Sequence, residues 1–339
     1  MADPRPVHRV LTGITTSGTP HLGNYVGAMR PAILASRQAA VESFYFLADY
    51  HALIHGFDPE RVHRSTLEIA ATWLAAGLNP DRVTFYRQSD VPEVLELAWL
   101  LACVAGKGLL NRAHAYKAAV ERNSAAGAEP DTGVSVGLFL YPLLMAADIL
   151  LFKANSVPVG RDQVQHIEIA RDLAGRFNHR YGNHLILPEA AIDESAAVLP
   201  GLDGRKMSKS YGNSIPLFAS AAELKKLVFS VVTDSRAPGE RKESEGSALF
   251  ALYRAFATAD EIEAMRSAFA GGIGWGDAKQ TVFERIEATL ASMRRIYQSL
   301  IAEPARIEIR LQDGAAKARS VAAPFLRDLR HAVGLRKLA

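Results

Sequence analysis

Lys206 and Lys209 stand three residues apart in Gly204-Arg205-Lys206-Met207-Ser208-Lys209-Ser210, with Tyr211-Gly212-Asn213 following as turn chemistry. Ammonium and hydroxyl donors on one short loop suit a polyanion such as a triphosphate, although a bare Lys-x-x-Lys is as readily a solvated turn. Near the other end of the chain, His21 and Asn24 are three apart in His21-Leu22-Gly23-Asn24. At the start of a helix that spacing puts both on one face, where two neutral donors can stabilise charge building on a transferring phosphoryl group. A third feature is Asp148, set in the apolar run Tyr141 to Leu151. A buried carboxylate needs partners or it neutralises. Met145, three residues before it, shares its helical face, and a thioether beside an acceptor suits a flat aromatic ligand with a single N–H, as in indole. The structural alternative is an Asp bonded to nearby backbone or to an arginine.

These residues need a frame. Val7 to Leu11 alternates as a short strand, Thr12 to Pro20 is a Gly/Thr-rich loop, and a helix runs on from His21, with Pro31 expected to kink or divide it. Strand, loop and helix in that order place backbone N–H groups beside phosphate. Further strands are expected at Ser43–Ala48, Val83–Tyr86 and Val157–Val159, separated by helices, which predicts right-handed βαβ units and a parallel sheet. Asp49 to Leu53 then falls at a strand's carboxyl end, where open sheets bind ligands. The polar stretch Asn111 to Gly133 reads as containing a flexible insertion, with Lys117 and Arg122 as ordinary surface charge. Gly160 ends the Val157 strand, and Asp162 and Gln163 open a helix. Asp162 there satisfies the helix dipole or, functionally, faces a ribose, with Gln163 on the polar end of an amino acid. Beyond Pro216 the periodicity is helical throughout; a last helix around Ala315 to Leu329 is expected to end or bend at Pro324.

The whole chain has 339 residues, 49% hydrophobic and 22% charged, which is the composition of a globular protein with ample core. Its net charge of +3 excludes a strongly basic nucleic-acid protein. Residues 1–216 hold 20 Lys and Arg against 21 Asp and Glu, and the remainder 19 against 15, so the C-terminal part is mildly basic and compatible with an RNA partner. The single cysteine, Cys103, permits no intramolecular disulfide, offers no metal site and reads as a small core residue. With no leader pattern at Met1-Ala2-Asp3-Pro4 and no apolar run of membrane-spanning length, a cytoplasmic location without membrane association is expected.

Lys206 to Ser210 is identical to the KMSKS loop of class I aminoacyl-tRNA synthetases, and His21-Leu22-Gly23-Asn24 resembles their HIGH motif with Asn at the second His. Over nearly its full length the chain resembles the bacterial tryptophanyl-tRNA synthetases. The resemblance is carried by these motifs and by Thr12-Gly13-Ile14, Ala48 to Leu53, Tyr141 to Leu151, and Val157 to Gly160 with Asp162-Gln163. It implies an α/β fold, with a Rossmann-like parallel-sheet catalytic domain over 1–190, a linker and lysine loop over 191–216, and an all-helical anticodon-binding domain over 217–339. The last helices would pack back on the catalytic domain.

The implied partners are L-tryptophan, ATP with Mg²⁺ carried on the nucleotide, and tRNA(Trp), in a homodimer; no metal site is implied on the protein. Carried over by position, Thr15, Ser17, Gly18, His21, Gly23, Asn24, Gly160 and Asp162 bind ATP, joined by Lys206, Met207, Ser208 and Lys209. His21, Asn24, Lys206 and Lys209 are the catalytic set. Asp148 accepts the indole N–H; Met145, Val157 and Val159 form walls, Tyr141 and Gln163 hold the ammonium, and His51 lines the pocket. Thr15-Thr16 departs from the family's usual Gln-Pro or Arg-Pro. Three rivals share part of the pattern: a tyrosyl-type synthetase, disfavoured by Ala147-Asp148-Ile149; a small nucleotidyltransferase, usually much shorter; and a catalytically silent relative, which has no reason to keep His21, Asn24, Lys206 and Lys209.

Overall fold

The computed structural model describes residues 8–16, 18–38, 41–56, 58–192 and 198–338. Five strands form one sheet: β1 (His8–Thr15), β2 (Val41–Ala48), β3 (Thr84–Arg87), β4 (Ser156–Pro158) and β5 (Glu189–Ala191), in the order β3-β2-β1-β4-β5. Every neighbouring pair is parallel. The chain steps outward from β1 to β3, then crosses back and steps the other way, so the switch point lies at the carboxyl ends of β1 and β4.

β1 does not stop at Leu11. It continues through the Gly/Thr-rich stretch and pairs with β2 from His8↔Val41 to Thr15↔Ala48. A central strand gains ladder bonds that outweigh weak local propensity. Gly13 belongs there for a steric reason: a Cβ would stand 3.0 Å from the Phe46 ring.

After β1 come α1 (Leu22–Asn24), a π-helical turn at Tyr25–Met29 and α2 (Arg30–Ala35). The Arg30 N–H bonds Tyr25 O across the π turn, immediately before Pro31, which has no N–H to give, so the expected division takes this form. α3 (Asp49–Ala52) follows β2 directly. α4 (Pro59–Ala75) starts at Asp58, whose carboxylate accepts the Arg61 N–H. α5 (Glu93–Ala102), α6 (Lys107–Leu110), α8 (Val136–Leu151) and α9 (Val164–Tyr181) complete the sheet's cover, and α7 (His114–Ala125) lies outside them against α8. The expected flexible insertion is thus corrected to a helix, α7, which buries only Ala119 and so leaves no apolar stripe to read.

Five helices follow: α10 (Ala221–Ser230), α11 (Ala248–Arg254), α12 (Ala259–Ala270), α13 (Trp275–Ala302) and α14 (Pro304–Ala332). Ser220, Ser247 and Thr258 cap the first three through their hydroxyls. α14 starts earlier than the Ala315 stripe suggests and does not end at Pro324. The carbonyl that Pro324 leaves without a helical donor belongs to Ser320, on the exposed face where water can reach it.

Residues alternate across the sheet. Tyr45 and Leu47 join a core shared with Leu22, Trp73, Leu249, Val282 and Ile286, whereas Phe44 and Phe46 join one made with α5, α8 and α9. α14 contributes Ile307 and Leu311 to the first and Ala318, Ala322 and Phe325 to the second. It covers the exposed edge at β3 so closely that a Cβ on Gly314 would fall 1.7 Å from Phe85 O. Ion pairs Arg87–Glu308 at 2.7 Å, Arg310–Asp81 at 2.9 Å and Arg319–Glu93 at 2.9 Å fasten it along that edge.

Candidate active site

The first wall of the site is the turn between β1 and α1. Thr15 is exposed at the end of β1, while Thr16 is fully buried and its hydroxyl has no hydrogen-bond partner. Ser17 lies outside the described residues. Gly18 takes φ +68°, open to glycine without strain, and its N–H donates to Ser65 Oγ at 3.3 Å. His21 and Asn24 do not simply project side by side. They form a reciprocal capping box: the Asn24 N–H donates to His21 Nδ1 at 3.2 Å, and the His21 N–H donates to Asn24 Oδ1 at 3.1 Å. With Nδ1 accepting, the proton of the neutral ring is on Nε2. Burial, with the nearby Lys209 charge adding to it, lowers the His21 pKa to about 4. His21 is therefore a neutral N–H donor at physiological pH, and the Asn24 amide keeps its NH₂ outside the box.

The lysine loop is laid directly on this turn. The Gly23 N–H points at Met207 Sδ, 3.4 Å away. Behind the loop, Leu22 N–H donates to Ile215 O at 2.9 Å and Leu217 N–H to Pro20 O at 3.0 Å, so the chain leaving the loop pairs with the chain entering α1. Met207 is 3% exposed, an apolar anchor in the loop between Lys206 and Lys209. Lys209 Nζ lies 3.3 Å from where a Gly18 Cβ would be. Burial first and the Arg61 charge second lower its pKa, with Glu68 opposing. Lys206 faces elsewhere: it lines a cavity of about 290 Å³ with Ser244, Ser247 and Arg254. The two lysines are thus on different sides of the loop in this conformation. Ser208 Oγ and Ser210 Oγ are paired at 2.8 Å.

Asn213 organises that loop, and the sequence suggested only a turn for it. It is 3% exposed, and its Oδ1 accepts the Ser208 N–H at 2.9 Å. Its Nδ2 donates to Asp203 Oδ1 at 2.7 Å and to Lys206 O at 3.2 Å. One buried amide therefore fastens the entry, the middle and the exit of the loop.

A second group of polar side chains is built around Asp148, which α8 carries into the protein interior at 2% exposure. Gln88 Nε2 donates to both carboxylate oxygens at 2.8 Å, and His51 Nε2 lies 3.0 Å from Oδ2. Burial raises the Asp148 pKa; the His51 and Gln88 hydrogen bonds and the His51 charge pull it back, and Asp49 pushes it up again. Gln88 was not legible as a site residue because its chemistry is generic. Its signal was position, one residue past β3, as Asp49 is one past β2. Tyr141 hydrogen-bonds through its hydroxyl to His166 Nε2, its ring meets His51 edge-on, and burial raises its pKa. Met145 is half-buried on the same helix. Val157 sits in the core at 4% exposure, while Val159 is half-buried and its N–H donates to Ala191 O at 3.1 Å. Gly160 is exposed, Gln163 is half-buried, and the side chain of Asp162 lies outside the described residues.

The fold thus gathers one group of donors at the end of β1, comprising His21, Asn24 and Lys209, and a buried acceptor, Asp148, held by residues at the ends of β2 and β3. Such an arrangement can hold a polyanion and a flat N–H-bearing ligand on one sheet edge. No cluster of three or more His, Cys, Asp or Glu suited to a metal occurs among the described residues.

Residues 4–291 match the family of tRNA synthetases class I (W and Y). The chain is 69% identical over 333 residues to the tryptophan–tRNA ligase of Xanthomonas axonopodis pv. citri, covering 98% of this chain and 77% of that one. With the tryptophan–tRNA ligase of Pseudomonas aeruginosa the identity is 62%, over 97% of this chain and 74% of that one. Among solved structures, tryptophanyl-tRNA synthetase from Campylobacter jejuni, complexed with ADP and tryptophan, superposes with a TM-score of 0.89 at 40% identity, over 96% of this chain and 100% of that one.

Proposed function

This chain belongs to the class I tRNA synthetases of the W and Y family, and from that premise we propose that it activates L-tryptophan with ATP and transfers it to tRNA(Trp). The observation that carries the choice of tryptophan is Asp148: a buried acceptor on an otherwise apolar helix, held by Gln88 and His51. An indole offers one N–H and nothing to accept, so an acceptor-only partner suits it and leaves a phenol's oxygen poorly matched.

In the first step a tryptophan carboxylate oxygen attacks the α-phosphorus. The bond from that phosphorus to the bridging oxygen breaks, and its electron pair leaves on pyrophosphate. His21 Nε2–H and the Lys209 ammonium face the growing negative charge, and movement of the lysine loop as one Asn213-tied unit brings Lys206 to the same phosphates. Met145, Val157 and Val159 wall the indole, and Tyr141 and Gln163 receive the ammonium. Thr15, Ser17, Gly18, Gly23, Gly160 and Asp162, with Met207 and Ser208, form the ATP cradle. Mg²⁺ enters on the nucleotide and neutralises phosphate charge. In the second step a hydroxyl oxygen of the terminal ribose of tRNA attacks the acyl carbon, the bond from that carbon to the phosphate oxygen breaks with its electron pair leaving on AMP, and the hydroxyl proton passes to the departing phosphate. No enzyme nucleophile is needed; positioning and charge stabilisation carry the reaction.

The helical region 217–339 takes the anticodon arm. In support, Arg295 and Arg306 line a groove of about 400 Å³ beside the α13–α14 turn. A second copy of the chain covers the α5 face on which Leu95 and Trp99, one turn apart, are 44% and 69% exposed. No helix among the described residues is long and apolar enough to cross a membrane, and the cytoplasm is the compartment that supplies tRNA. The test is ATP-dependent acylation of tRNA(Trp) by purified protein: tryptophan should be esterified to the tRNA and tyrosine should not. Absence of esterified tryptophan from folded protein overturns the assignment.

A further inference from the structure

Gln88 is 1% exposed and sits on no surface a substrate could reach first, yet all its polar atoms are committed. Its Oε1 accepts the Tyr50 backbone N–H at 3.2 Å. That bond decides the amide's orientation, because a backbone donor cannot face an NH₂ group. Nε2 is therefore the atom turned to Asp148, and it reaches both Oδ1 and Oδ2 at 2.8 Å. Its neighbour Ser89 ties the same corner: the Ser89 N–H donates to Asp49 Oδ1 at 3.0 Å, and its hydroxyl bonds Asp49 Oδ2. Gln88 and Ser89 thus lace the end of β3 to α3 and to α8.

We propose that Gln88 is a positioning residue for tryptophan selection, holding the Asp148 carboxylate in the orientation and acceptor form that takes the indole N–H. The proposal rests on the reading of Asp148 given above. Three features carry it. Asp148 is 2% exposed, so its rotamer is set by protein donors and not by water. A donor to the charged form favours that form against burial, and His51, the other donor, reaches only Oδ2. Burial and the like charge of Asp49 on α3 oppose that form. Without Gln88, Oδ1 loses the protein donor shown for it, and the carboxyl is free to rotate or take up a proton, leaving no fixed acceptor for an N–H.

The experiment compares tryptophan with 3-benzothienylalanine, which has the same shape but sulfur in place of the N–H, in ATP–pyrophosphate exchange. The readout is the ratio of the two kcat/KM values. Gln88→Met should shrink the wild-type preference for tryptophan by about 10-fold to 100-fold, the loss of a hydrogen bond to a charged group. KM for the benzothienyl analogue and for ATP should stay within about 3-fold of wild type, since neither uses the acceptor. A residue that merely fills space would weaken both amino acids alike, and an unchanged ratio in Gln88→Met overturns the proposal. Gln88→Leu likewise removes the donor, and gives the same readout if the Met variant does not fold. Asp148→Ala separates the two claims. If it leaves the ratio at the wild-type value, the indole reading of Asp148 is wrong and Gln88 falls with it. Collapse in Asp148→Ala with an unchanged ratio in the Gln88 variants rejects Gln88 alone.

Discussion

The Gly23 N–H and Met207 Sδ, 184 residues apart in sequence, meet at 3.4 Å and join the HIGH-like turn to the KMSKS loop. A side chain at residue 23 would disturb both partners. The added Cβ would stand 3.0 Å from the His21 ring and 3.5 Å from Met207 Cβ. Gly23→Ala should turn the imidazole out of its capping bond and lower kcat for pyrophosphate exchange by roughly 100-fold, the scale of a misplaced catalytic group. Tryptophan binding, followed by fluorescence quenching, should not change. Equal loss in both would show that residue 23 supports the fold and not the phosphate site.

His21 links stability to pH. Its folded pKa of about 4 lies below the ordinary value of 6.5, so the unfolded chain takes up this proton first as pH falls. The stability that neutral His21 contributes is complete above about pH 6.5 and is lost between there and pH 4. Denaturant midpoints should decline across that window in the wild type and less in His21→Asn, which keeps a side-chain acceptor at the N-cap but does not titrate. The same variant keeps a neutral donor and should retain more exchange activity than His21→Ala. Identical pH–stability curves for wild type and His21→Asn would contradict the depressed value.

The two lysines should fail differently. Lys209 already lies against Gly18, while Lys206 faces the cavity toward α11. Lys209→Ala should raise KM for ATP by about 10-fold as well as lowering kcat, because it removes a contact present before loop movement. Lys206→Ala should lower kcat by about 100-fold with KM for ATP nearly unchanged, as expected for charge stabilisation reached only near the transition state. Tryptophan affinity should hold in both variants. Matching kinetic defects would mean that the lysines act together from the outset.

Gly314 tests the packing of α14 on β3. A Cβ there would lie 1.7 Å from Phe85 O, a backbone atom in the sheet that cannot step aside. Gly314→Ala should cost about 3 kcal/mol or more in urea unfolding, despite the better helix propensity of alanine. A loss under about 0.5 kcal/mol, the size of an ordinary surface change, would show that α14 is not seated on this edge.

What the sequence disclosed depended on how local the cause was. The motifs at His21 and Lys206, the buried strand at Ser43–Ala48 and the helix around Asp148 carry their own signal, because residue type and periodicity decide them. β1 was legible only to Leu11, since Thr12 to Thr15 owe their strand state to pairing with Phe46 and its neighbours on β2. α7 lacks an apolar stripe because it buries almost nothing, and Pro324 reads as a break because its harmless, solvent-facing position is a property of the packed helix. Gln88 and Asn213 are the instructive cases. Each is a buried amide whose work lies in its partners, Asp148 for one and Ser208, Asp203 and Lys206 for the other, and no partner is visible along the chain.

The most direct test of the central claim is ATP–pyrophosphate exchange by the purified protein with tryptophan, with tyrosine and with no amino acid. Exchange supported by tryptophan alone is the predicted result, and it would establish the phosphate chemistry at the Gly23–Met207 junction and the identity of the Asp148 site together. Exchange supported by tyrosine would contradict the reading of Asp148 while leaving the nucleotide site intact. Silence with both amino acids, from folded protein that still binds ATP, would contradict the account as a whole.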